Sequence, residues 1–565
     1  MNTKLTISIS ILAIAIVAGV LLLAERPAGE TTTSVIVQAG SFENALEAVR
    51  SVDGEITHEL DIIRAVGANV TPAQLELLHA TDGLRIHDNG EVEIAKKPPK
   101  DGDPVDLGTV YPTLVGAQLL HAEGITGLDV TVAVLDTGWD NFGAVSLDTA
   151  GEWRVLESYD AIQDVIVGLP WRGPVYYPAS YGQNDSNGHA SHVSSILLSS
   201  SNTNFDAPEE GLYNGIAPDA NLVVVKAFDR SGQGTYADVV RAIGWVVQNQ
   251  PNYDIRVLNC SFSAPPRSHY WDDPLNQAIM AAWQAGIVVV ASAGNTGPDP
   301  MTIGVPGNLP YVITVGAMSD NYTPTDSTDD YLGSFSSVGP TYEGFIKPDF
   351  VAPGGHMIGL IPYNSYLQVE HPDFYDADRN FTMSGTSQAA AVVSGAAALV
   401  LSADPTLTPD DVKCRLLATA RPATDGSDAI AYSVFQQGAG MINAYDAVHS
   451  TASGCANLGL DISNDLADIE HYGGRAHQDT DGTFYIDGLG GLEWDGSYSW
   501  ASAYLWNDAY LWNDAYLWND AYLWNDAYLW NDGYLWNDGY LWNDAYLWND
   551  SLLEPTSINV WVPQE

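Results

Sequence analysis

Long apolar runs without polar alternation recur through the middle of this chain. Val130-Thr131-Val132-Ala133-Val134-Leu135, Leu222-Val223-Val224-Val225, Ile287-Val288-Val289-Val290 and Val312-Ile313-Thr314-Val315 are the clearest. A strand with one wet face alternates; a strand covered on both faces does not. Helical stretches lie between the runs, for example residues 236–248 and 274–285. Such strands separated by helices predict an α/β unit over residues 110–450, with a mostly parallel central sheet covered on both sides.

The pattern before this unit is different. Residues 30–96 predict a small α+β unit. Ser34-Val35-Ile36-Val37-Gln38 reads as a strand, and Phe42, Ala45, Leu46 and Val49 then recur at helical spacing. Ser41 is placed to cap that helix and Glu43 puts an acid in its first turn. Asn44 takes the third helical position, so no capping box is expected. Strand character follows near residues 56–60 and 62–66. A second helix starts at Pro72 behind the cap Thr71. Closing strand character spans Leu84 to Ile94. Residues 97–109 are polar, carry Pro98, Pro99 and Pro104, and read as a linker and processing region.

Both ends have their own patterns. Residues 1–29 hold Lys4 and a mostly apolar stretch from Ile7 to Ala24, which reads as a cleaved signal peptide or a retained N-terminal anchor. Either reading takes the rest of the chain out of the cytoplasm. Residues 451–500 are rich in Gly, Asp and Ser and form a linker or small module. Tyr-Leu-Trp-Asn-Asp then occurs eight times within residues 501–551, at a period of six, and residues 552–565 close the chain. An even period keeps Tyr, Trp and Asp on one face of an extended chain, with Leu, Asn and Ala or Gly on the other. A helix would turn about 600° per repeat and smear the aromatics around its axis. The tail is therefore read as β-prone strand or solenoid turns, or as a low-complexity segment that self-associates. Its Trp faces suit a glycan or cell-envelope polymer.

Composition narrows the partners. Against 21 Lys and Arg stand 71 Asp and Glu, a formal net charge of −50. A field this negative argues against nucleic acid or anionic lipid as a partner. Three cysteines exclude a disulfide-dense scaffold. Cys260 lies in an apolar run and reads as a buried small hydrophobe. Cys414 and Cys455 could pair near the end of the main unit; three free thiols fit the sequence equally well.

Candidate chemistry sits in four short segments. Asp136 closes the first apolar run, where open α/β sheets place their sites. Asn187-Gly188-His189-Ala190-Ser191-His192-Val193 supplies two histidines. Ala291-Ser292-Ala293-Gly294-Asn295-Thr296-Gly297 follows the third run. Phe381-Thr382-Met383-Ser384-Gly385-Thr386-Ser387-Gln388-Ala389-Ala390 precedes a helix of small residues over 388–401. A serine at a helix start, a histidine and a strand-end aspartate are the parts of a nucleophilic hydrolase. The order Asp136, His189, Ser387 is not that of the α/β-hydrolases.

Taken together these segments resemble the subtilisin-like serine proteases, the subtilases, over residues 110–450. Further matches are Gly215-Ile216-Ala217-Pro218, Lys347-Pro348-Asp349-Phe350-Val351-Ala352-Pro353-Gly354 and Gly438-Ala439-Gly440-Met441-Ile442-Asn443-Ala444. The resemblance implies the three-layer subtilisin fold, preceded by a small α+β propeptide that chaperones folding and inhibits with its last residues in the cleft. It implies a catalytic triad of Asp136, His189 and Ser387, with Asn295 and the Ser387 backbone N–H as the oxyanion hole. His192 and Ser384 would be structural. Asn259-Cys260-Ser261-Phe262-Ser263 and Gly232-Gln233-Gly234-Thr235-Tyr236 would be two cleft walls that pair with an extended polypeptide, with Ala293 and Gly294 nearby. The family usually has Gly where this chain has Ser263, Gly-Thr for Ala190-Ser191, Met for Gln388 and Pro for Ala391; the last two are read as packing variants. No cofactor is needed for the chemistry. Structural calcium is common in the family, and Asp140 is the nearest candidate ligand here. The expectation is a secreted endopeptidase made as a zymogen; the alternative is an envelope-associated adhesive or structural protein whose working part is the repeats.

Overall fold

The computed structural model describes residues 32–81, 83–94, 111–167, 185–202, 212–323, 328–376, 378–424, 430–478, 484–486 and 493–494. The leader, the whole proline-rich linker at 97–109 and the repeat tail lie outside these residues. The chain divides into two compact units, residues 1–89 and 90–565.

In the first unit, β1 (Thr33–Gln38), α1 (Phe42–Ser51), β2 (Glu55–Leu60), β3 (Ala65–Val70), α2 (Pro72–His79) and β4 (Arg85–Asp88) follow in order. The four strands form an antiparallel sheet in the order β2-β3-β1-β4. One face of that sheet and both helices bury Val35, Val37, Ala45, Val49, Val66, Ala68, Val70 and Leu78. Ser41 accepts the Asn44 N–H and caps α1 without a capping box. Thr71 caps α2, and Gln74 completes a box there that the sequence reading did not include.

One expectation changes and another is refined. Ile62 belongs to a 3₁₀ turn, Asp61–Ile63, closed by Arg64 in the left-handed region, so the strand starts at Ala65. The strand character expected from Leu84 to Ile94 is divided between two strands with different partners. β4 completes the first unit's sheet, whereas β5 (Glu91–Ile94) pairs within the second unit.

Further strands of the second unit are β6 (Thr131–Asp136), β7 (Val155–Asp160), β8 (Val165–Ile166), β9 (Asn221–Lys226), β10 (Gln233–Thr235), β11 (Ile255–Cys260), β12 (Phe262–Ser263), β13 (Val288–Ser292), β14 (Ile313–Ser319), β15 (Tyr331–Leu332) and β16 (Phe350–Pro353). The central sheet runs β15-β14-β13-β11-β6-β9-β7-β8, with β16 also on β14. Every pairing is parallel except those of the short edge strands β8 and β15. β6, β13 and β14 are buried along their whole length, as non-alternating runs require.

Helices α3 (His189–Leu198), α4 (Tyr236–Tyr253), α5 (Pro274–Gln284), α6 (Thr386–Ala403) and α7 (Pro409–Thr419) cover the sheet. α6 starts two residues earlier than its apolar pattern suggests, because Gly385 takes the cap position. Its small residues let it pack against β11, β13, β14, β16 and α3. Among the described residues it is the one helix apolar and long enough to cross a membrane, and it is buried inside the domain.

Among the described residues beyond 450, several pack on this unit. Asp465 accepts hydrogen bonds from the phenols of Tyr270 (2.7 Å) and Tyr311 (2.9 Å), and its other oxygen meets His471 Nδ1 at 2.7 Å. The Trp271 ring is stacked between His269 (4.3 Å) and His471 (4.7 Å). Cys414 on α7 is disulfide-bonded to Cys455, while Cys260 is free and buried in β11. Beside the bridge, buried Lys413 and Lys347 share the carboxylate of Asp349. Burial pushes the Lys347 ammonium down to about 7, against the pull of Asp349.

The disulfide closes a separation of 41 residues. Chain-entropy reasoning gives such a loop roughly 4 kcal/mol of stabilisation. Replacing Cys414 and Cys455 together by Ser is expected to lower the thermal unfolding midpoint, and reductant should destabilise wild type but leave the double variant unchanged.

Candidate active site

Asp136 is the last residue of β6 and is completely buried. A carboxylate there is costly unless its oxygens are occupied. The Thr137 N–H donates to Oδ1 at 2.7 Å, and His189 Nδ1 lies 2.8 Å from both oxygens. Nδ1 therefore carries the ring proton. The opposite nitrogen, Nε2, is buried and has no hydrogen-bond partner among the described residues.

His189 opens α3, a helix without a side-chain cap on Gly188, whose φ is +105°. Side chains from outside the helix supply the missing acceptors. Asp185 accepts from the N–H groups of Gly188 and Ser191, Asn187 from that of His189, and Thr137 from that of Ala190. Asp185 was not among the residues singled out from the sequence. The only local signal was an acidic residue just before a helix start. Ser191 also donates its hydroxyl to Asp185 at 2.6 Å, so the serine in Ala190-Ser191 is used.

Ser387 is the second residue of α6 and fully buried. Its hydroxyl donates to the Ser261 carbonyl at 2.9 Å. Ser261 in turn donates its own hydroxyl to the Ser387 carbonyl at 2.9 Å. Asn295 follows Gly294, which sits at φ +110° beside the Ser337 hydroxyl. The Asn295 carbonyl accepts from the N–H (3.0 Å) and hydroxyl (2.8 Å) of Thr386. That anchoring turns the amide nitrogen the other way, where it is buried and without a partner among the described residues. Thr386 is a second residue that sequence reasoning passed over, because its partner lies 91 positions away.

The two predicted walls flank β5. Gly234 pairs with Val92, while Phe262 and Ser263 pair with Ile94 and Glu93, all antiparallel. The Tyr236 N–H donates to the Gly90 carbonyl at 2.7 Å. Ser263 pairs through its backbone even though it replaces the family's Gly; its hydroxyl lies against Gly304 and Gly294. Gly232 closes a turn on the Asp229 carbonyl. Ala293 has both backbone groups committed, to Val315 and Gly304.

His192 is fully buried. Its Nε2 donates to the carbonyls of Phe381 (2.9 Å) and Met357 (3.2 Å), and the Gln388 amide donates weakly to Nδ1 at 3.5 Å. Gln388 is thus a polar partner as well as packing. Burial holds the His192 ring neutral and pushes its pKa down to about 4. The Ser384 hydroxyl accepts the His356 N–H. Burial likewise raises the Asp140 carboxyl. Among the described residues no three carboxylate, imidazole or thiol side chains converge to hold a metal ion, so no calcium ligand set is assigned.

The sequence pattern of the Subtilase family matches residues 127–440. The chain belongs to the subtilase family. This subtilase is 38% identical over 333 residues to the serine protease AprX of Bacillus subtilis, covering 58% of this chain and 68% of that one. It is 32% identical over 332 residues to subtilisin DY of Bacillus licheniformis, covering 58% of this chain and 94% of that one. Its fold is similar to that of fervidolysin from Fervidobacterium pennivorans, a keratinolytic enzyme related to subtilisin. That match has a TM-score of 0.57 at 20% identity, over 76% of this chain and 62% of the other. The subtilase described here is a subtilisin-like serine endopeptidase.

Burial of His192 carries a pH consequence. Between its unfolded value of 6.5 and its folded value of about 4, the unfolded chain binds a proton that the native ring refuses. Stability is therefore intact above pH 6.5 and falls as pH drops through this window, by roughly 3 kcal/mol in total. Denaturant unfolding against pH should show this acid limb, and His192→Gln should flatten it.

Proposed function

We propose that this endopeptidase works through Asp136, His189 and Ser387. His189 Nε2 takes the Ser387 proton as the hydroxyl oxygen attacks a peptide carbonyl. Asp136 holds the ring in the tautomer that leaves Nε2 free and stabilises the imidazolium that forms. The Asn295 amide and the Ser387 backbone N–H receive the oxyanion. His189 then protonates the leaving amine, and water releases the acyl group. The observation that carries this reading is a buried donor and a buried acceptor, Asn295 Nδ2 and His189 Nε2, both without hydrogen-bond partners among the described residues; a substrate carbonyl and the serine proton would supply them. Such groups are costly unless they are used in function.

The same reading makes the enzyme a zymogen inhibited by its own chain. Support comes from β5, which lies as a third strand between the walls. In it Glu93 faces Ser263 and Ile94 faces Phe262. The next residue of that wall, Ser261, is the one whose carbonyl holds the Ser387 hydroxyl. We therefore assign self-cleavage to the chain that follows Ile94, toward the linker at 97–109. Export through residues 1–29 belongs to this reading, as does retention at the cell envelope or on glycans through the repeats at 501–551.

Wild type is expected to cleave casein and to be labelled by a fluorophosphonate, with both lost in Ser387→Ala. A folded wild type that does neither removes the triad assignment. Asn295→Ala is expected to lower kcat with little change in KM. Loss of the equivalent donor from subtilisin costs roughly 100- to 1000-fold, and a similar drop is expected here. Mass analysis of early maturation should find a mature start near residues 97–110, absent in Ser387→Ala.

A further inference from the structure

Asp136 and His189 come from elements far apart in the sequence, a strand end and a helix start. What sets their separation is not obvious from the two residues alone. The next residue along each element answers it. Thr137 follows Asp136, and Ala190 follows His189. The Thr137 hydroxyl accepts the Ala190 N–H at 3.1 Å and donates to Asp185 Oδ1 at 2.7 Å. The same Asp185 oxygen accepts the Gly188 N–H at 2.8 Å, on the other side of His189. Its second oxygen accepts the Ser191 N–H (2.8 Å) and hydroxyl (2.6 Å). From the strand side, the Thr137 carbonyl accepts from the buried Lys226 ammonium at 2.8 Å.

Thr137 is completely buried and Asp185 nearly so. No lone pair of Asp185 is idle: each oxygen takes two hydrogen bonds. A charge-assisted set of this kind is strong and directional. It grips the backbone immediately before and after His189 and ties it to the residue beside Asp136.

We infer that Thr137 and Asp185 form a positioning bracket for catalysis: they fix the His189 ring against Asp136 and so aim Nε2 at the Ser387 proton. The bracket touches neither substrate nor reacting atoms. It rests on the reading of His189 as the general base. Its effect falls on kcat, because a base displaced by a fraction of an ångström still permits binding but no longer meets the proton in line.

The test compares Thr137→Val and Thr137→Ser, each normalised to active sites by fluorophosphonate titration. Val keeps the volume and lacks the hydroxyl; Ser keeps the hydroxyl. Thr137→Val is expected to lower kcat roughly 10- to 100-fold with KM within about twofold, and Thr137→Ser to stay within about threefold of wild type. Wild-type kcat in Thr137→Val, or an equal loss in both variants, overturns the inference. His189→Ala, measured alongside, separates the layers. An active His189→Ala removes the general-base reading; an inactive one beside an unimpaired Thr137→Val removes only the bracket. If Thr137→Val does not fold, Ser191→Ala takes its place by deleting one of the four bonds to Asp185. A several-fold lower kcat at unchanged KM is then expected, and an unchanged kcat overturns the proposal.

Discussion

A carboxylate at the end of a fully covered strand is an expensive object, and the architecture around Asp136 is organised by that cost. Parallel strands need covering on both faces, so the end of β6 is dry. An ionised group there must be surrounded by donors. His189 and the Thr137 N–H meet Asp136 directly, and the neighbouring Thr137 hydroxyl is held by Asp185, which in turn caps α3. The helix that carries the imidazole is thus fastened by the same polar network that the buried acid demands. Electrostatic necessity and placement of the site are one arrangement here.

The second half of the site is assembled by packing. α6 runs through the middle of the domain with a surface made mostly of Ala, Gly, Ser and Val. Larger side chains would hold it away from the sheet; these let it approach five elements closely. Its first turn is then pinned by Thr386 to Asn295 and by Ser387 to Ser261. Three strand ends and one helix start meet there because parallel crossovers deliver successive strands to a common edge. The basic residues follow a related economy. Among the described residues Arg154, Lys226, Lys347 and Lys413 are buried, which withdraws cations from the surface of a chain that has only 21 Lys and Arg against 71 Asp and Glu.

Much of this was legible in the residues. Uninterrupted apolar runs announced β6, β9, β13 and β14 because burial on both faces removes alternation. Short motifs singled out Asp136, His189, Asn295 and Ser387, and the fold sets His189 against Asp136 and ties Asn295 to Thr386, the residue before Ser387. What was not legible depends on partners remote in sequence. β4 and β5 lie in one strand-like stretch of sequence and are told apart by the strands they pair with. The turn at Asp61–Ile63 looked like strand because Ile62 and Ile63 are β-branched, while the left-handed Arg64 reveals itself only in three dimensions. Thr386 and Asp185 carry no signature beyond their type; each matters through a group dozens of positions away. Gln388 read as packing because its hydrogen-bond partner, His192, lies on another helix.

The burial of α6 has a consequence for a solution of these molecules that can digest one another. Ser387 rides on a helix buried inside the domain, so unfolding that reaches α6 takes apart the core and the surroundings of Ser387 in one step. Molecules that have lost this core become food for copies that have kept it.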